Sequence, residues 1–169
     1  DGQTCMGEGY CVPSADFELP YGDGTTRSKI ALAEATNGGF AATWYENYLP
    51  PGETVQAMDI YFALFAADGT PVSAPVKVDQ DTLPWARRPS MTRLLGGGFR
   101  IVWRAENGPT SEIKYMARVL DPDGQPVAPV CQLNETPLKK EFVTGTNVDS
   151  PFTKLLRSYS VAVTWMGQK

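Results

Sequence analysis

Apolar residues fall along the chain in short runs of about five to nine positions, each closed by a turn rich in Gly, Asn, Asp or Pro. Runs of this length between such punctuation predict β-strands. Lys29 to Ala35 is a first strand, closed by the tight turn Asn37-Gly38-Gly39, and Phe40 to Tyr45 is a second. A long loop follows from Glu46 to about Ala57. Asp59 to Ala66 makes a third strand, Asp68-Gly69 is a two-residue hairpin signal, and Pro71 to Asp79 makes a fourth. A connection from Gln80 to Pro89 then leads into a second set: Met91 to Leu95, Phe99 to Arg104, Ile113 to Leu120 and Val127 to Asn134. Its turns are Gly96-Gly97-Gly98 and Asp123-Gly124. A third set opens at Phe152 to Leu156 and runs to Trp165.

The sets are copies of one another. Gly38-Gly39-Phe40 with Trp44 returns as Gly97-Gly98-Phe99 with Trp103, and Tyr159 to Trp165 repeats the cadence. Self-similarity at a period of several tens of residues is the signature of an array of supersecondary units. Four antiparallel strands per unit describe the blade of a β-propeller, so the expected fold is all-β and propeller-like. The expected division is 1–27 as the end of a preceding blade, with Val12 to Leu19 as its fourth strand, then blades over 28–82 and 83–136, and the start of another over 137–169. The expectation includes missing blades supplied by further chain or by oligomerisation. Minimal turns join strands 1–2 and 3–4, whereas the long connections all belong on the opposite side of such a disc. Loops on a rigid scaffold are where binding concentrates.

Gly-Gly-Phe-x-x-x-Trp, the strand Asp59-Ile60-Tyr61-Phe62-Ala63 and the turn Asp68-Gly69-Thr70-Pro71-Val72, with a second copy at Ile113 to Gly124, resemble a propeller-type repeat of large secreted or surface-exposed bacterial proteins. The resemblance spans roughly residues 28–134. It implies adhesion or carbohydrate binding and carries no catalytic motif.

Composition narrows the function classes. The 169 residues suit one domain, and the net charge of −4 comes without a basic footprint beyond Arg87-Arg88 and Lys139-Lys140, which argues against nucleic acid as a partner. No apolar run is long enough to span a membrane. The absence of His removes the usual Ser-His and Cys-His nucleophile pairs and His-containing metal sites. Cys5 and Cys11 flank a glycine-bearing loop suited to a short disulfide, which points to an oxidising, extracellular, cell-surface or periplasmic setting. Cys131, in Val130-Cys131-Gln132-Leu133, reads as a buried thiol. Asn134-Glu135-Thr136 is a glycosylation sequon.

The periodic Trp44, Trp103 and Trp165 read first as packing between blades and second as sugar platforms. Trp85 breaks the period, sits beside Arg87 and Arg88, and falls on the expected inter-blade connection. Tyr45, Tyr48, Trp85, Arg87, Arg88 and Arg104 are therefore the candidate contacts for a glycan or a surface protein. Glu46 and Glu106, each followed by Asn, are the carboxylates a glycoside hydrolase would need, provided they converge. The acidic turns Asp121-Pro122-Asp123-Gly124 and Asp79-Gln80-Asp81 suit either hairpin capping or calcium. The expected function is a non-catalytic binding module without a resident cofactor, with a structural subunit of a surface assembly as the alternative.

Overall fold

A computed structural model describes residues 3–6, 10–13, 26–80, 83–107, 112–134, 151–155 and 161–164. The described residues contain twelve β-strands and no helix. Eight of the strands, β3 (Thr26–Glu34), β4 (Phe40–Tyr48), β5 (Ala57–Phe65), β6 (Val76–Lys77), β7 (Trp85–Arg93), β8 (Phe99–Glu106), β9 (Ile113–Leu120) and β10 (Cys131–Gln132), form one open, mostly antiparallel sheet.

Within that sheet the ladders divide into two meanders, β3-β4-β5-β6 and β7-β8-β9-β10, joined by the single parallel pair Met58–Trp85. Strand β7 also lies against β3 and β4. The second meander thus folds onto the face of the first. Two smaller hairpins complete the strands: β1 (Gln3–Met6) with β2 (Tyr10–Pro13), and β11 (Phe152–Leu155) with β12 (Val161–Thr164). Strand β11 lies against β7 and β8.

Cross-strand register shows why the central strands are apolar throughout rather than alternating. Ala41–Leu64, Thr43–Phe62 and Tyr45–Ile60 point one way; Phe40–Phe65, Ala42–Ala63 and Trp44–Tyr61 point the other. Both faces are buried, as in any sheet covered on two sides. The first face meets the second meander in one core containing Ile60, Phe62, Leu64, Phe99, Ile101, Trp103 and Met116. Phe62 and Phe99 meet there with ring centroids 5.2 Å apart. The second face holds its own cluster around Trp44, with Phe40 stacked on Phe65 at 5.0 Å and Trp44 on Tyr61 at 6.3 Å.

The repeated Gly-Gly-Phe has a steric cause. A Cβ on Gly39 would lie 1.9 Å from the Phe65 carbonyl oxygen, and one on Gly98 would lie 2.4 Å from that of Leu120. Each first turn is tucked against the end of its unit's third strand, where no side chain fits.

Several expected boundaries move. The first strands begin earlier, at Thr26 and Trp85, because a bulge carries the chain past an irregular point: Lys29 (φ 54°) and Arg88 (φ 57°) take left-handed backbone inside the register shifts Ser28/Ala31 and Arg87/Ser90. These bulges recur 59 residues apart, the same spacing as Trp44 and Trp103. Trp85, Arg87 and Arg88 therefore lie in a strand and not on a connection. The long loop shrinks to residues 49–56 because β4 runs to Tyr48. The fourth strands are two residues each rather than eight or nine, since only Val76–Lys77 and Cys131–Gln132 keep continuous ladder pairing. Cys131 is exposed rather than buried, on the outermost strand of the sheet. The expected strand over Val12 to Leu19 is replaced, as far as residue 13, by a hairpin that pairs Gln3–Met6 with Tyr10–Pro13. Its remaining part, Trp165, Lys139-Lys140, and Glu135-Thr136 of the sequon lie outside the described residues.

Candidate functional site

The tight turns at residues 36–39, 67–69, 95–98 and 122–124 share one edge of the meanders, and the loop 49–56 with the strand ends Trp85, Glu106 and Ile113 lies at the other. At the second edge Tyr48 pairs with Ala57, Met58 pairs with Trp85, and Trp85 pairs with Glu106, so the candidate residues are strung across neighbouring strands.

Trp85 is half-buried at the head of β7. Its indole Nε1 donates to the Gln56 carbonyl at 2.8 Å, and the Arg87 guanidinium carbon lies 5.6 Å from its ring centroid. Positions i and i+2 of a strand share a face, which is what brings Arg87 to Trp85. The Arg87 guanidinium also donates to Glu106 Oε1, at 2.9 Å from Nε. Arg104 Nε approaches the same oxygen at 2.6 Å. Arg104 is buried, so its head is part of this ion cluster rather than a presented contact. Tyr45 sits partly buried in the core between the meanders, which removes it from the edge surface. Tyr48 stays half-buried at the edge with Lys77 Nζ 6.0 Å from its ring centroid. Leu49 and Val55 of the neighbouring loop are 57% and 56% exposed. The geometry therefore brings Trp85 and Arg87 together on the outward face of the second meander, with Arg88 on the bulge beside them; it leaves Tyr48 at the same edge but on the Trp44 face of the first meander, and withdraws Tyr45 and Arg104.

Trp103 is wholly buried at the junction, as the packing reading expects, and Trp44 is wholly buried on the opposite face of the first meander. Their polar atoms differ. Trp44 Nε1 donates to Glu46 Oε1 at 2.8 Å, whereas Trp103 Nε1 has no hydrogen-bond partner among the described residues.

Glu46 and Glu106 do not form a pair. Trp103 follows Trp44 by 59 residues, but Glu106 follows Glu46 by 60, and a one-residue slip turns a side chain to the other face of a strand. Glu46 lies on the Trp44 face opposite Asp59, and the position equivalent to it is Ala105. Glu106 faces away from the first meander. Each carboxylate is wholly buried and engaged by arginine, Arg27 at 3.5 Å for Glu46 and Arg87 and Arg104 for Glu106.

The acidic turns act as backbone caps. Asp121 Oδ1 accepts from the amides of Asp123 at 3.0 Å and Gln125 at 2.7 Å, and Asp68 Oδ1 accepts from Thr70 at 2.9 Å. Among the described residues no group of three or more Cys, Asp or Glu could hold a metal ion. Asp81 lies outside the described residues. Cys5 stands directly opposite Cys11 in the β1–β2 register; their side chains, and with them the expected disulfide, lie outside the described residues.

Sequence reasoning missed a buried polar pair that follows the fourth strand of each meander. Asp79 and Asn134 are equivalent, 55 residues apart, like Pro71 and Pro126, which each bridge the end of a third strand. Asn134 Oδ1 accepts from the Tyr115 amide at 2.7 Å, and its Nδ2 donates to the Ile113 carbonyl at 3.1 Å. Asp79 Oδ1 accepts from the Ile60 amide at 3.4 Å. Burial first, and the nearby Asp59 charge second, push the Asp79 carboxyl up to about 7 against the opposing pull of Lys77. Arg118 Nη1 donates to the Val78 carbonyl at 2.9 Å, tying β9 to the connection that follows β6. Burial holds its guanidinium below the usual arginine value, partly offset by Asp79. Aligning the two Asp-Gly turns instead of the two Trp residues exposes the Asp79–Asn134 correspondence in the sequence. No family model, curated protein or solved structure matches the chain.

Proposed function

We propose that the chain is a non-catalytic, extracytoplasmic binding module that grips a glycan at the edge carrying its longer connections. The half-exposed Trp85 indole carries the reading. A ring fixed by its own N–H to Gln56 and braced by a guanidinium offers a rigid aromatic face at little entropic cost on binding. Leu49 and Val55 of the loop at the same edge add exposed apolar surface. An aromatic platform with a few fixed polar groups is the usual make-up of a small-ligand site.

On this reading each meander is a blade of a propeller-type array, of the kind the Gly-Gly-Phe…Trp repeat resembles. The junction core around Trp103 supports the blade-on-blade arrangement. The register of Cys5 with Cys11 supports an oxidising compartment, because directly opposed positions of an antiparallel pair lie within disulfide reach. The same stacking favours a second role, a structural unit of a surface assembly whose blades are continued by further chain or by other copies.

A glycan array separates the two roles. The folded protein is expected to bind at least one glycan class, and Trp85→Ala to weaken that binding tenfold or more while its circular dichroism stays unchanged. A folded wild-type protein that binds no glycan leaves the structural role standing.

A further inference from the structure

We propose that Asn37 is a self-modifying position: the Gly38 amide attacks its carboxamide, and the turn between β3 and β4 converts to aspartate and isoaspartate. Asn37-Gly38 puts a carboxamide directly before a residue with no side chain to shield its nitrogen. Both residues are exposed. A Cβ on Gly38 would meet nothing within 4 Å, so a five-membered ring has room to form there.

Hydrogen bonding sets this turn apart from its relatives. Gly38, Gly69, Gly97 and Gly124 all take left-handed backbone in the tight turns. Gly69, Gly97 and Gly124 donate their amides to the carbonyls of Ala66, Leu94 and Asp121, at 3.0, 2.9 and 3.1 Å. The Gly38 amide makes no such bond among the described residues, so the attacking nitrogen is not held. Asn37 Oδ1 meanwhile accepts from the Gly39 amide at 2.9 Å. That donor is already aimed at the oxygen on which negative charge develops during the attack.

The chemistry needs only solvent. Hydroxide takes the Gly38 amide proton, and the nitrogen bonds to Asn37 Cγ. The Cγ–Nδ2 bond then breaks, and Nδ2 leaves as ammonia with a proton from water. A second water opens the cyclic imide. Cleavage at Cγ leaves aspartate in an unchanged backbone; cleavage at the main-chain carbonyl leaves isoaspartate, with the chain routed through the β-carbon. The net change consumes one water, releases one ammonia and adds one negative charge.

The chain carries its own controls. The equivalent of Asn37 in the second meander is Gly96. Asp68-Gly69 and Asp123-Gly124 place an acid before glycine, but both glycine amides are engaged. The Thr70 amide also holds the Asp68 carboxyl below the usual carboxylate range, so it stays charged and resists attack. An extra backbone atom at residue 37 has consequences on both sides of the turn. Gly39 is pressed against the Phe65 carbonyl, and a Cβ on Gly97 would lie 2.5 Å from Thr36 Cγ2, so the first turns of the two meanders touch.

Ageing the native protein in mildly alkaline buffer tests this, with peptide mapping and an isoaspartate-specific methyltransferase as readouts. Aspartate and isoaspartate are expected at residue 37, forming on the order of tenfold or more faster than isoaspartate at Asp68 or Asp123. Conversion at Asn37 is expected to be at least as fast in the folded protein as in a urea-unfolded sample, because the fold aims the Gly39 donor. The urea midpoint of aged wild type is expected to fall, while that of Asn37→Gly, which copies Gly96, holds. No product at residue 37, slower conversion in the folded than in the unfolded chain, or an equal fall of midpoint in Asn37→Gly overturns the proposal.

Discussion

Replacing each periodic tryptophan by phenylalanine offers a controlled contrast, because the two positions share backbone, burial and strand but not chemistry. Both indoles are wholly buried. Both substitutions remove a similar volume from a packed core, which costs on the order of 1–2 kcal/mol for a partial truncation. Trp44→Phe also removes the 2.8 Å bond from Nε1 to the buried Glu46 carboxylate. A hydrogen bond to a charged group contributes about 1.5–3 kcal/mol, and its loss takes a donor from the buried Glu46 carboxylate, which Arg27 also approaches at 3.5 Å. Trp103→Phe deletes a buried N–H that has no partner among the described residues. An unsatisfied buried donor costs about 1–3 kcal/mol, so its removal offsets the lost packing. The expected destabilisation is therefore about 3–5 kcal/mol for Trp44→Phe and about 0–1 kcal/mol for Trp103→Phe. Urea unfolding followed by far-ultraviolet circular dichroism measures both, since tryptophan fluorescence would report on the probe that is being changed. Equal losses, or a larger loss at Trp103, would refute the claim that hydrogen bonding separates the two sites. A Trp44→Phe, Glu46→Gln double variant, measured against its singles, isolates the pair: the combined loss should fall short of the sum of the single losses.

Three further outcomes are expected. Gly39→Ala should destabilise by more than about 3 kcal/mol through its collision with the Phe65 carbonyl, whereas Gly38→Ala, in open space at φ +80°, should cost only about 1 kcal/mol; thermal unfolding of the two variants compares them. Asp79 is raised from 3.8 to about 7 in the fold, so its stabilising share is complete below pH 4 and is lost as pH rises to 7, by about 4 kcal/mol, with no further change above. Denaturant midpoints for Asp79→Asn should accordingly exceed wild type at pH 8 by more than at pH 5. Mass spectrometry of the unreduced protein from an oxidising compartment should show Cys5 joined to Cys11, and a mass lower by two hydrogens than the reduced form; free thiols at both positions would count against that setting.

The strand plan was legible because turn chemistry here is strict. The steric demand at Gly39 and Gly98 and the capping by Asp68 and Asp121 fix where strands reverse, and those residues are read directly from the sequence. The first strands were misplaced because Lys29 and Arg88 adopt left-handed backbone without being Gly or Asn, so nothing local marks the bulges. The same bulge hides the strand position of Trp85: Pro89 lies just after it and looks like a break, yet β7 continues through it to Arg93. The fourth strands were overestimated because apolar residues at 71–79 and 127–134 seat the chain by isolated bonds, such as Val72 and Val127 to the Leu64 and Val119 carbonyls, without a continuous ladder. At the site, parity misled. Glu46 and Glu106 look equivalent by their neighbours, but a spacing of 60 against 59 puts them on opposite faces.

That parity has a physical meaning beyond the two glutamates. On the face that carries its tryptophan, the first meander bears Arg27, Glu46, Asp59 and Lys77; the equivalent positions in the second are Ala86, Ala105, Lys114 and Gln132. On the other face Ser28, Tyr45 and Asn47 of the first meander become Arg87, Arg104 and Glu106 in the second. The buried ion pairs Arg27–Glu46, Lys77–Asp59 and Arg87–Glu106 thus lie on the outward faces, whereas alanine and aromatic side chains meet between the meanders. Desolvating an ion pair between two packed sheets would cost more than its attraction returns, so small apolar side chains are the stabilising choice there. The cost is visible at Trp103, whose indole N–H has no hydrogen-bond partner among the described residues, the position equivalent to Glu46 being Ala105. Asp79 and Arg118 stand at the margin of this neutral junction, the place where a change of charge would be felt by both meanders at once.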